Sequence, residues 1–506
     1  MNLGEQHAHD TLRHVTRRHF LSGGLAGVGG LWLAAGSASA KSATIGTDGG
    51  ATSSNAPHGA GGIDPTRPLA PRTPMLPAKA TRVIFLHLAG APSQFELFED
   101  KPELTRLDGQ DCPQEFLAGK RFAFIQGTPK LLGARARFRP AGESGLPMSD
   151  NLPHLARMAD KLCFVRSMRS DQFNHAPAQL LAQTGDPRLG HAAIGSWVTY
   201  GLGSENENLP GFVVLLSGGR FPDAGKSVWG SGFLPGAYQG VQCRSEGDPV
   251  LFLRNPPGVD GGLRRRMVDA ITRINEQTHR ELGDPETVTR IAQYEMAARM
   301  QLAATDAMDL GDESRATLDA YGAEPGRELL ANNCLLARRL VERGVRFVQL
   351  YDWGWDTHGT AEPQSITGGF RRKCREMDRP VAALLADLEE RGLLDETLVV
   401  WGGEFGRTPM RENRGGQEMP FIGRDHHADA YTVWLAGAGV KQGFSYGETD
   451  PIGYRPTTRP TEVRDLQATL LRLMGLDHER LTFPSQGLDR KLTGVKPARV
   501  IHELFA

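Results

Sequence analysis

The chain has 506 residues, 39% hydrophobic and 23% charged, with 61 Gly and 32 Pro. That is ordinary globular composition with a glycine surplus, and it excludes a coiled coil, a collagen-like fibre and a wholly disordered chain. Its 58 Lys and Arg against 59 Asp and Glu leave a net charge of −1, so no global field recruits nucleic acid or an anionic membrane. The five Cys are far apart with no C-x-x-C, which leaves no disulfide scaffold, zinc knuckle or redox pair to read.

Residues 1–40 are read as a leader. Thr16-Arg17-Arg18-His19-Phe20-Leu21 precedes an uncharged run to Ala35, and Ala38-Ser39-Ala40 follows. A basic segment, an apolar segment and an A-x-A site make a secretory signal. The paired Arg with a glycine-diluted apolar segment resembles a twin-arginine signal, which places the protein in the periplasm or otherwise outside the cytoplasm. The apolar segment is short for a span, so no stable membrane span is expected after cleavage. A protein on this route crosses already folded, which suits a metal loaded beforehand. The odd Cys count leaves at least one thiol free, and Cys163, inside Leu162-Cys163-Phe164-Val165, is expected to be a buried one. Residues 41–78 are Gly, Ala, Ser, Thr and Pro and read as a disordered linker.

The folded part is predicted over 79–506. Arg82-Val83-Ile84-Phe85-Leu86-His87-Leu88 suits a buried strand. Asn151 is expected to cap a helix through Lys161, ahead of a strand Leu162–Arg166. A helix Ala176–Gln183 stops at Gly185, and a strand follows at Gly211–Leu216. The helix Gly326–Arg343 stops at Gly344 before the strand Val345–Leu350. Then come a helix Phe370–Arg391, strands Thr397–Trp401 and Tyr431–Ala436, and a helix Val463–Met474 ended by Gly475. This alternation predicts an α/β fold with a mostly parallel central sheet flanked by helices. Residues 264–322 are charged and strand-free and read as a helical insertion jointed at Asp284-Pro285.

In open α/β sheets ligands bind beyond the carboxyl ends of strands, so the polar residues there are the candidates. After Val345–Leu350 come Asp356 and His358. An extended segment points residues two apart the same way, and carboxylate plus imidazole suits a first-row divalent ion; a hydrogen bond ordering the loop is the alternative. After Thr397–Trp401 comes Gly402-Gly403-Glu404-Phe405-Gly406-Arg407-Thr408-Pro409, with Glu404 for a metal and Arg407 for an oxyanion, or the two as an internal ion pair. Before Tyr431–Ala436 comes Asp425-His426-His427, the densest ligand cluster, or else a solvated turn. After Leu162–Arg166, Asn174 stands ready to cap the next helix, with His175 beside it at a helix start that cradles anions. No HExxH, G-x-S-x-G or P-loop is present.

Several of these segments together resemble a known family. They are Ala89-Gly90-Ala91-Pro92-Ser93-Gln94, Asn174-His175-Ala176-Pro177-Ala178, Trp355-Asp356-Thr357-His358-Gly359, Gly403-Glu404-Phe405-Gly406-Arg407-Thr408-Pro409, Gly423-Arg424-Asp425-His426-His427 and Leu435-Ala436-Gly437-Ala438-Gly439. In this order, from about residue 80 onward, they resemble the exported bacterial family called domain of unknown function 1501, a sulfatase-like branch of the alkaline phosphatase superfamily. The resemblance implies an alkaline phosphatase-like fold, a nucleophile at a helix start and Asp and His ligands on strand-end loops. His175 falls on the nucleophile's position and carries neither hydroxyl nor thiol. Ala89-Gly90-Ala91 replaces the Asp after the first strand, Glu404-Phe405 replaces an Asp-His pair, and Gln94 and Glu96 replace a His and an Asp. What remains implies a single divalent metal ion, zinc or calcium, on Asp356, His358, Glu404, Asp425, His426 and His427. His175, Asn174 and Arg407 are the expected catalytic set.

Two functions fit. One is a single-metal hydrolase of phosphate or sulfate esters, on a small-molecule or glycan substrate, in which the metal activates water directly. The other is a non-catalytic protein of the same fold that recognises an anionic glycan or an envelope partner.

Overall fold

The computed structural model describes residues 67–245, 258–282 and 303–506, with positions 287, 291, 296 and 299 between them. The expected leader, the expected linker up to residue 66 and the expected Asp284-Pro285 joint lie outside the described residues.

One nine-stranded sheet organises the chain. Its strands are β1 (Arg82–Ala89), β2 (Leu162–Arg169), β3 (Phe212–Ser217), β4 (Val241–Cys243), β5 (Phe347–Trp353), β6 (Thr397–Gly402), β7 (Tyr431–Ala436), β8 (Phe444–Tyr446) and β9 (Thr461–Glu462). The order is β8-β2-β7-β6-β1-β5-β3-β4, with β9 also on β2. Every pairing is parallel except the two made by β7, which runs against β2 and β6. The mostly parallel sheet is therefore as predicted.

Both faces of the sheet are covered, and β1 shows why its run is apolar throughout. Ile84, Leu86 and Leu88 enter one core cluster and Val83 and Phe85 the other, the period-2 alternation of a strand buried on both sides. The principal helices are α1 (His175–Thr184), α2 (Ile194–Leu202), α3 (Gly261–Leu282), α4 (Arg315–Tyr321), α5 (Leu330–Glu342), α6 (Arg371–Glu390) and α7 (Val463–Leu473). α5 and α6 fill the first cluster, and α2 and α7 the second. Between 258 and 322 the described residues hold helices and turns and no strand.

Three departures have local causes. β5 runs past Leu350 to Trp353 because it stays in register with both neighbours, Ala89 opposite Trp353 and Ser217 opposite Asp352. Asp352 is tolerated there because Ser217 Oγ (2.7 Å), Trp355 Nε1 (2.9 Å) and Lys373 Nζ (3.0 Å) all donate to it. The helix expected from Asn151 is instead a 3-10 segment, Leu155–Lys161. It starts late because Asp378 of α6 takes the N–H groups of His154 (2.8 Å) and Leu155 (2.7 Å), while the Asn151 amide is held by the Glu96 carbonyl (3.0 Å). Finally, residues 67–78, counted with the linker, are fastened to the body. Arg72 Nη1 donates to the Tyr200 carbonyl (2.8 Å) and the Leu76 N–H to the Gly475 carbonyl (2.9 Å). The short strands β4, β8 and β9 had no periodic signal to find.

All five Cys are buried and unpaired, so Cys163 is one of several. Burial raises their thiols, Cys112, Cys163 and Cys243 each to about 12. The folded protein is expected to give no reaction with Ellman's reagent over an hour, and five equivalents after guanidinium unfolding. A fast-reacting thiol in the native state would contradict this packing.

Candidate metal centre

Four side chains from two loops and a helix start meet at the carboxyl edge of the sheet. Asp356 and His358 follow β5, His426 precedes β7, and His175 opens α1. Asp356 Oδ1 lies 2.9 Å from His358 Nε2, 3.2 Å from His175 Nε2 and 3.4 Å from His426 Nε2. The two nitrogens of His358 and His426 stand 3.0 Å apart. Ligand atoms of all four residues lie within 4.8 Å of one another, a group that could hold a metal ion. His426 reaches this edge only because β7 is antiparallel, so its preceding loop joins the loops that follow the parallel strands.

Each imidazole is held from behind by its other nitrogen. His175 Nδ1 donates to Glu404 Oε1 (2.6 Å), His358 Nδ1 to Glu412 Oε2, and His426 Nδ1 to the Phe173 carbonyl (2.8 Å). With the Nδ1 protons thus spoken for, three Nε2 lone pairs and a carboxylate oxygen face one small volume, which requires a positive charge among them. His175 Nε2 is buried and has no satisfactory hydrogen bond despite its closeness to Asp356.

Close approaches of backbone build the volume. Gly90, after β1, has φ +109°, and a Cβ there would lie 2.5 Å from the Asp356 amide nitrogen. A Cβ on Gly423 would lie 2.0 Å from the His358 carbonyl carbon. Both glycines let two loops touch where a side chain would part them.

The charges respond to one another. Burial alone would lower His175, but the carboxylates of Asp356 and Glu404 lift it to about 9. His358 is raised in the same way, against burial, by Asp356 and Glu412. His426 is pushed down to about 4 by burial, which Asp356 opposes only in part and the Arg407 charge reinforces. Burial would raise Asp356 and Glu404, yet both lie well below the usual carboxylate range. Arg407 and the imidazoles hold Asp356 down, and His175 and His87 do so for Glu404.

The family whose sequence pattern matches residues 80–505 is described as protein of unknown function, DUF1501. The chain belongs to that family. No curated protein matches it. Among solved structures it is similar to a sulfatase from Pseudoalteromonas sp. (12% identity, 80% of this chain and 69% of that one, TM-score 0.36). It is also similar to the alkaline phosphatase of the Antarctic bacterium TAB5 (12%, 80% and 99%, TM-score 0.31) and to a phosphonate monoester hydrolase from Silicibacter pomeroyi (12%, 82% and 77%, TM-score 0.31). Overlaps of this extent carry no assignment.

In this DUF1501 member the predicted residues divide. Asp356, His358 and His426 converge as described, and His175 joins them. Glu404 does not face the group. Its Oε1 already accepts from His175 Nδ1, the Gly90 N–H (3.0 Å) and Gln179 Nε2 (3.2 Å), and its Oε2 lies 3.3 Å from His87 Nε2. Asp425 is occupied by the N–H groups of Phe124 (2.8 Å), Ile125 (2.9 Å) and His426 (2.7 Å). With His358 and Glu412 it forms a second group of ligand-type side chains that could hold an ion, apart from the four that converge on Asp356 Oδ1. His427 alternates away from its neighbour in a short ribbon with Gly406–Arg407 and bonds the Tyr454 carbonyl at 2.5 Å. The Asp425-His426-His427 segment is buried, so it is no solvated turn.

Arg407 also departs from expectation. It is fully buried and donates to the carbonyls of Ala91 (2.9 Å), Arg424 (3.1 Å) and Gly90, and to Asp356 Oδ1 (2.6 Å). Four of its five N–H groups are bonded to this frame and the side chain is fully buried, so it offers no exposed donor to a substrate oxyanion. Nor does it pair with Glu404. Asn174 caps α1 through its backbone carbonyl, which accepts from the Ala178 N–H (3.0 Å), while its exposed side chain makes no cap bond. His87 and Glu412 were missed. His87 is the one imidazole inside the apolar run of β1, a signal in itself, whereas nothing local marks Glu412.

Replacing Arg407 by Gln strips Asp356 of its cation and three loop carbonyls of their donor. Breaking a buried pair this way costs about 3–5 kcal/mol, so thermal unfolding of Arg407→Gln is expected many degrees below the parent. A shift within the surface-mutation range of about 0.5 kcal/mol would show the brace to be unimportant.

Proposed function

We propose that this protein is an exported, single-metal hydrolase of phosphate or sulfate esters, its ion held by His175, Asp356, His358 and His426. One observation supports this above the rest: three imidazoles aim Nε2 at one carboxylate oxygen, and each is locked from behind through Nδ1. Three nitrogens and one oxygen favour zinc or another first-row ion over calcium, which prefers oxygen ligands. When bound, such an ion supplies Lewis acidity toward an ester and its attacking water.

The chain's own groups prepare the place. Arg407 fixes the Asp356 carboxylate, and Glu404, steadied by Gln179 and Gly90, keeps the His175 proton on Nδ1. Asp356 and His175 form the open side, their side chains 26% and 14% exposed against 4% for His426. A substrate therefore meets the cluster from that side. The position that would carry a protein nucleophile holds His175, so water is the nucleophile in this reading.

Metal analysis is expected to find about one equivalent of a first-row ion. Glu412→Gln should weaken ion affinity about 10–100-fold, and His358→Ala and His426→Ala should abolish retention. His427→Ala should leave ion content unchanged while lowering stability with and without chelator. An ion at about a hundred times its Kd adds about 2.7 kcal/mol of stability, lost on chelation. Because His175 and His358 hold protons above the ordinary imidazole range, the ion must displace them. Affinity should then rise with pH until about 9, where His175 releases its proton unaided. Turnover of aryl phosphates and sulfates across divalent ions tests the reaction. Silence with the ion retained would favour the binding role instead.

Export through the twin-arginine route is part of the same proposal. Arg17-Arg18 supports it, as do five buried thiols with no disulfide, which suit folding in a reducing compartment before passage. Arg17→Lys with Arg18→Lys is expected to trap the precursor in the cytoplasm; normal secretion of the double variant would refute the route.

A further inference from the structure

With Arg407 turned inward, the anion of a substrate needs other cations, and two exposed arginines stand beside the cluster. On one side the Arg220 guanidinium lies 4.8 Å from the Trp353 ring centroid, and that ring is 6.3 Å from His175. On the other, Arg414 lies 4.1 Å from the Phe124 ring, which meets His358 edge-on at 5.0 Å and His426 at 5.7 Å. Both arginines are exposed, and Phe124 is 36% exposed. Arg414 gives Nε to Glu412 Oε1 (2.9 Å), the carboxylate that anchors His358; Arg220 forms no ion pair among the described residues. A guanidinium stacked on a ring is held in place while its in-plane N–H groups stay free for bidentate contact with an oxyanion.

We propose that Arg220 and Arg414 form a two-sided clamp for anionic groups that flank the reacting ester, so that the site takes multiply charged esters rather than simple monoesters. The proposal rests on the ester-hydrolase reading for the identity of the central group. Each guanidinium is one aromatic ring removed from the cluster. That placement suits a sulfate or phosphate on the neighbouring part of the same molecule better than an oxygen bound at the centre. Phe173, 42% exposed and tied to His426 through its carbonyl, offers an apolar surface at the same cluster.

The test is calorimetric binding to the full, folded protein, with ion content measured in parallel. The probes are inositol hexakisphosphate, a dextran sulfate oligomer and inorganic sulfate. Losing a charged hydrogen-bonding partner weakens binding about tenfold, so Arg220→Gln and Arg414→Gln should each weaken at least one polyanion by that factor. The double variant should weaken it further, with inorganic sulfate unchanged within about twofold. Dependence confined to the phosphate or to the sulfate probe identifies the ester carried. Arg188→Gln, an exposed arginine paired with Asp186, controls for general charge. Arg220→Gln leaves Glu412 untouched, so it stands alone if Arg414→Gln disturbs His358. Polyanion binding unaltered in the double variant, or equal loss in Arg188→Gln, would overturn the clamp. Equal loss of inorganic sulfate would also overturn it, by placing the arginines on the reacting group. A parent protein without ion would refute the hydrolase reading while leaving the arginine dependence to be judged alone.

Discussion

Three imidazole lone pairs and one carboxylate oxygen cannot share a volume a few ångströms across unless a positive charge sits among them. Most of the surrounding structure follows from that constraint. The Nδ1 protons are taken by Glu404, Glu412 and the Phe173 carbonyl, so the rings cannot relieve the crowding by exchanging tautomers. Asp356 is braced by Arg407, so it cannot swing out. Arg407 already gives one cation to Asp356 Oδ1 (2.6 Å), and protons on His175 and His358, or in the proposed reading a metal ion, would supply the rest.

The cost of such a site is carried by the backbone around it. Loops after β1 and β5 and before β7 are brought into contact through Gly90 and Gly423. A single guanidinium, Arg407, binds carbonyls of two of these loops together with the Asp356 carboxylate. Behind it, Arg424 donates to Glu96 Oε1 (2.9 Å) and to the Leu132 carbonyl (2.9 Å). Both of these buried guanidiniums thus meet several acceptors, as burial of charge demands. The consequence is a division of labour between arginines. Those inside hold the frame, and those outside, on Trp353 and Phe124, are exposed, Arg414 giving only its Nε to Glu412.

Much of this was legible without coordinates. The apolar runs at Val83–Leu88, Thr397–Trp401 and Tyr431–Ala436 are strands because both faces of the sheet are covered, and such strands are apolar end to end. Gly185, with φ 74°, ends α1 as its place in the sequence suggests. Asp356 and His358 share a side because an extended chain repeats every two residues. Elsewhere the local signal gave residue type without direction. His427 is of ligand type, but type says nothing about which way a side chain turns or what has already bonded it. Glu404 sits at the right strand end, yet three donors converge on one of its oxygens.

By itself, then, the sequence determined the layered α/β fold, the family and the strand-end loops where polar residues gather. Those depend on periodicity and on glycine positions, which act over a few residues. Only the tertiary structure decided which of those residues meet. The antiparallel direction of β7 carries His426 to the same edge as His175, Asp356 and His358, and Glu412, 54 residues beyond His358, arrives to lock it. Arg407 was spent on carbonyls that no local pattern places beside it. Such contacts join segments far apart in the chain, and their geometry is set by packing of the whole sheet.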